Sequence, residues 1–131
     1  MRGRTVFESV GGFARVRLIV ADFYERILAS ERLGRFFADI DMRRLVDHQT
    51  KFVAALMGGP ASYSDEQMAR AHQRLGISHE DFDEMALLFG ETLEDFGLEP
   101  LVVRQLCAHV QGMRDHVVAP QAVTPQAQGS A

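Results

Sequence analysis

The sequence predicts a single all-α domain. Along its 131 residues the apolar positions recur at intervals of three and four, and no segment alternates in the manner of a strand. Residues that start helices, and glycines or prolines that stop them, punctuate this pattern at uneven intervals. With 47% hydrophobic residues the chain can build one sizeable core, and its length fits one domain. The domain is expected over residues 1–118. Residues 119–131 carry two Pro, three Gln, Gly and Ser with little apolar content, and are read as a disordered tail.

After Gly11-Gly12, the residues Val16, Ile19, Val20, Phe23, Tyr24, Ile27 and Leu28 form one helical stripe, and a short turn of helix is expected around Leu33, Phe36 and Phe37. Asp41 is placed to cap a helix whose stripe is Met42, Leu45, Gln49, Phe52 and Leu56, and which Gly58-Gly59-Pro60 ends. Ser64 with Gln67 has the form of a capping box opening a short helix with Met68, Ala71, His72 and Leu75 on one face. Ser78 with Asp81 caps the next, whose face is Phe82, Met85, Leu88, Phe89, Leu93 and Phe96, with Gly97 as terminator. Pro100 suits the first turn of a last helix carrying Val103, Leu106, Val110, Met113 and Val117. Helices so unequal in length favour a crossed arrangement over a regular up-down bundle.

Composition narrows the function. No apolar run reaches the roughly 18 to 20 residues of a membrane span, and no signal-like start is present, so a cytoplasmic, membrane-free protein is expected. The net charge of −4, with both signs mixed along the chain, argues against nucleic acid as a partner. The lone Cys107 has no disulfide or metal-site companion and is read as a packing residue. Zinc clusters, phosphate-binding glycine loops and the Glu-x-x-His pairs of a di-iron bundle are all missing.

Three helices each place a polar group on a stripe that otherwise faces the core: Tyr24, Gln49 and His72. A buried Gln or His without a partner costs about 1 to 3 kcal/mol, so each needs a neighbour or a ligand. Singly, each has an ordinary explanation as a boundary or satisfied core residue. Together, in a chain with nine Phe and six Met, they point to a shared pocket. His72 suits an iron ligand, because neutral imidazole donates well to iron. Tyr24 and Gln49 suit the opposite side, where hydroxyl and amide can hydrogen-bond a bound diatomic molecule. His48 flanks the same face, and two readings stay open for it: an iron ligand, or a solvated edge histidine.

These residues resemble the group I (N-type) truncated haemoglobins over roughly Phe7 to Val118. The resemblance rests on Phe7-Glu8-Ser9-Val10-Gly11-Gly12, Asp22-Phe23-Tyr24-Glu25-Arg26-Ile27-Leu28, Phe36-Phe37-Ala38, Asp41-Met42-x-x-Leu45 and His48-Gln49-x-x-Phe52. It continues through Leu56-x-Gly58-Gly59-Pro60-x-x-Tyr63, Met68-x-x-Ala71-His72-x-x-Leu75-Gly76-Ile77 and Asp81-Phe82-Asp83. It implies a two-over-two helical sandwich around haem b, with His72 as proximal iron ligand, Tyr24 and Gln49 as distal donors, and Leu45 where many globins keep a distal histidine. It further implies that Phe23, Phe37, Phe52, Met68, Leu75, Ile77, Phe82 and Met85 line the haem and that Tyr63 lies near a propionate. His48 matches a position at which some cyanobacterial members bind iron when no external ligand is present. Covalent haem attachment is not carried over, since His109 and His116 do not fall on the relevant position. Phe7, where Tyr is common, and the order Glu99-Pro100 depart from the pattern away from the iron.

The function so implied is reversible binding of oxygen, and of nitric oxide or carbon monoxide, with oxidation of nitric oxide to nitrate as an enzymatic extension that requires an unidentified reductase. A monomer or weak dimer is expected. The rival from another class is a haem-free helical sensor or interaction domain in which Tyr24, Gln49 and His72 satisfy one another. A helix-turn-helix DNA binder fails on charge.

Overall fold

The computed structural model describes residues 5–60 and 76–118. Within them the chain forms α1 (Val6–Val10), α2 (Gly12–Ala29), α3 (Glu31–Gly34), a 3-10 turn (Arg35–Phe37), α4 (Met42–Leu56), α5 (His79–Asp95), α6 (Pro100–Gln111) and α7 (Arg114–Val117), and no strand. The expected helix from Ser64 to Leu75, and the tail from Ala119 onward, lie outside the described residues.

The helix starts follow the side-chain chemistry of their first residues. The Asp41 carboxylate accepts from the Arg44 amide at 3.3 Å, and Ser78 and Asp81 form a reciprocal capping box at 3.0 Å in each direction. Thr5 and Glu8 form a second box that opens α1, and Ser30 caps α3 through the Leu33 amide. Pro100 occupies the first turn of α6, where its missing N–H costs nothing.

Two pairs of helices make the layers: α2 lies chiefly against α4, α5 against α6, and α2 also packs on α5. The core runs through all four, with Val16, Ile19, Ile27, Phe82 and Leu93 at 2% exposure or less. The α1 segment closes over the end of α4, where the Phe7 amide bonds the Met57 carbonyl at 2.8 Å. Two glycines make this closure possible. Gly58 adopts φ +84°, which side-chain-bearing residues rarely take, and a Cβ on Gly59 would stand 2.7 Å from the Phe7 ring.

Two sequence expectations are corrected. Leu28 is 45% exposed rather than part of the buried stripe, because it lies about 100° round the helix from buried Ile27. The last helix is interrupted at Gly112 and Met113 and resumes as α7. Spacings of three and four carry across that break, so the apolar pattern hides it, while Val103, Leu106, Val110 and Val117 stay buried.

Candidate functional site

A cavity of about 260 Å³ lies between the layers. From α2 it takes Val20, Phe23, Tyr24 and Ile27; from α4, Leu45, His48, Gln49, Phe52, Val53 and Leu56. Ile77, Phe82 and Met85 face it from the other layer. The reason lies in the stripes: each of these helices turns its three-and-four repeat inward, and the inward faces do not fully meet. All ten sequence-predicted site residues that fall within the described residues line this one cavity: Phe23, Tyr24, Phe37, Leu45, His48, Gln49, Phe52, Ile77, Phe82 and Met85. His72, Tyr63, Met68 and Leu75 lie outside the described residues.

Apart from Asp81 on α5, the polar groups among the described lining residues are concentrated at one wall. Tyr24 is buried at 8% exposure, and the Gln49 side-chain amide donates to its phenol oxygen at 3.1 Å. The Tyr24 ring is held edge-to-face by Phe23 and Phe37, with centroids 5.0 and 5.7 Å away. Leu45, one turn before Gln49, presents hydrocarbon to the same space. His48 is solvent-exposed and stands at the cavity's rim, as its rotation away from Gln49 requires.

Sequence reasoning missed four lining residues of note. Phe36, Phe89 and Val117 belong to apolar stripes and were legible as core. Asp81 was read only as a cap, yet its buried carboxylate is part of the cavity wall. Burial, the largest influence on it, pushes its pKa up; hydrogen bonds from the Ser78 amide and hydroxyl and from Arg32, with the charge of Arg35, outweigh burial and hold it below the ordinary carboxylate value. Cys107 is half-buried, and burial, followed by the charge of Glu94, pushes its thiol pKa up, which suits a packing residue.

A profile of the bacterial-like globins matches residues 5–119. The group 1 truncated hemoglobin GlbN of a Synechocystis species is 35% identical over 108 residues, covering 79% of this chain and 87% of that protein. The chain belongs to the group 1 truncated haemoglobins. The relative from Tetrahymena pyriformis is 30% identical over 111 residues, 85% of this chain and 92% of its own. Its crystal structure in the Fe(III) form superposes with a TM-score of 0.80 at 28% identity, over 89% of this chain and all of that one. The Synechococcus 2/2 hemoglobin, solved in the cyanomet state with covalently attached heme, gives 0.81 at 30% identity, over 88% and 98%.

This truncated haemoglobin therefore has the two-over-two helical fold, with its layers as described, and its family implies haem-based binding of diatomic gases. The cavity suits such a group: Phe23, Phe37, Phe52, Phe82 and Phe89 line it with aromatic hydrocarbon, and the Tyr24–Gln49 pair stands at one wall.

Proposed function

We propose that this truncated haemoglobin holds haem b between the Tyr24–Gln49 wall and His72, and that it binds oxygen reversibly there. The hydrogen bond between Gln49 and Tyr24 inside an aromatic cavity is the observation that carries this reading. Haem supplies the iron at which a diatomic ligand binds. His72 bonds that iron from the proximal side, and Tyr24 and Gln49 serve the ligand on the other. The Gln49 amide donates to the phenol oxygen and so orients the Tyr24 hydroxyl, which serves as a donor to the ligand. Leu45 keeps water out by offering no hydrogen bond. Phe23, Phe37, Phe52, Met68, Leu75, Ile77, Phe82 and Met85 pack on the macrocycle, and Tyr63 serves a propionate. His48, at the rim, would be the side chain to bond the iron when no diatomic ligand is present, and otherwise stands as a solvated edge residue. Oxidation of nitric oxide to nitrate at the same site would draw electrons from a separate reductase.

A second reading has one observation in its favour: the Gln49 amide donates directly to the Tyr24 hydroxyl with no ligand between them, as a haem-free sensor or interaction domain would allow. Titration of the purified protein with haemin separates the two. A Soret band that grows to one equivalent supports the haem reading, and a chain that leaves haemin free in solution supports the other.

A further inference from the structure

Among the described residues, Asp81 supplies the cavity's one carboxylate, and its side chain is only 1% exposed. A carboxylate in an apolar wall is costly unless ion pairs and hydrogen bonds compensate it. Here the partners come from two separate places in the fold. On its own side, Asp81 accepts from the Ser78 amide at 3.0 Å and closes the capping box that starts α5, immediately after the stretch that leads from His72. Across the cavity edge it accepts from Arg32 of α3 at 3.2 Å and pairs with Arg35 of the 3-10 turn at 3.5 Å. Glu84, one turn along α5, pairs with Arg32 at 3.5 Å and accepts from the Ser30 hydroxyl, so the tie is doubled.

The consequence lies in what Arg32 and Arg35 adjoin. Leu33, Phe36 and Phe37, interleaved with the two arginines, line the cavity. Arg35 lies over the Phe36 ring at 4.8 Å, and Phe37 meets the Tyr24 ring edge-on. The connection thus runs from Asp81 to Arg35, along the backbone of the 3-10 turn from Arg35 to Phe37, and from the Phe37 ring to the hydroxyl-bearing ring.

We propose that Asp81 is a positioning residue for ligand binding: a strut that fixes the Phe37-bearing turn relative to the start of α5, and so holds the Tyr24 ring in the place from which its hydroxyl meets a ligand. The proposal rests on the haem reading above. In the haem-loaded protein, Asp81→Asn keeps an acceptor for the Ser78 amide but loses the charge that holds the arginines. Oxygen dissociation should then accelerate about three- to tenfold, and the C–O stretch of the carbon monoxide complex should move toward its value in Tyr24→Phe. In a Tyr24→Phe background the same substitution should change neither quantity further. Arg32→Gln/Arg35→Gln, which leaves the capping box intact, should reproduce the effect and covers the case in which Asp81→Asn fails to fold.

A purely structural Asp81 predicts a lower melting temperature with an unmoved C–O stretch, and that result overturns the proposal. So does an effect that persists in full without the Tyr24 hydroxyl. A wild-type chain that takes up no haem removes the haem reading itself and the strut with it, whereas normal wild-type loading with indifferent variants removes the strut alone.

Discussion

The Tyr24–Gln49 pair does two things at once, and its substitution should show both. Losing one hydrogen bond costs about 0.5 to 1.5 kcal/mol, so Tyr24→Phe and Gln49→Leu should each speed oxygen dissociation up to roughly tenfold in stopped flow. Since Gln49 also orients the phenol, the double variant should fall short of the product of the two. Full multiplicativity would mean that the two side chains act on the ligand independently. The exposed position of His48 means that the ring must swing inward to reach the iron, so His48→Ala should convert a low-spin ferric spectrum to a high-spin or water-bound one and accelerate carbon monoxide binding. A wild type already high-spin and five-coordinate when ferrous would leave His48 as a rim residue only.

At the scale of elements, local chemistry set what could be read in advance. The caps Asp41 and Ser78–Asp81, and the stripes of α2, α4 and α5, depend on neighbours within four residues and were visible in the sequence. The five-residue α1 was not, because it is too short to show a stripe, although Thr5 and Glu8 carry the spacing of a capping box. The Asp81–Arg32 pair joins residues 49 apart, and no local pattern announces it. The closure of α1 over α4 makes a prediction of its own. Gly59→Ala would drive a Cβ into the Phe7 ring and should destabilise the fold by about 1 to 3 kcal/mol in urea unfolding. In a Phe7→Ala background the added cost should shrink; an undiminished cost would place the strain elsewhere.

The whole molecule should carry the signature of its buried carboxylate in its response to acid. Asp81 titrates below its ordinary value in the folded chain, so it contributes stability at neutral pH that is lost as pH falls below the unfolded value of about 3.9 and through the folded one. The stability gap between wild type and Asp81→Asn should therefore be constant near neutrality and shrink below about pH 4. A gap that holds unchanged to pH 3 would mean that folding does not lower the Asp81 pKa, and a gap that reverses direction between about pH 4 and 7 would mean that the carboxyl is neutral in the fold.

If the aromatic cavity holds haem bonded through His72, resonance Raman spectroscopy of the ferrous protein will detect the bond itself. The unliganded ferrous protein should show an iron–histidine stretch, obtained for His48→Ala if His48 bonds the iron in the wild type, and should lose it when His72→Gly is added, with restoration by free imidazole. An iron–histidine stretch that survives His72→Gly, with no imidazole present, would contradict bonding through His72.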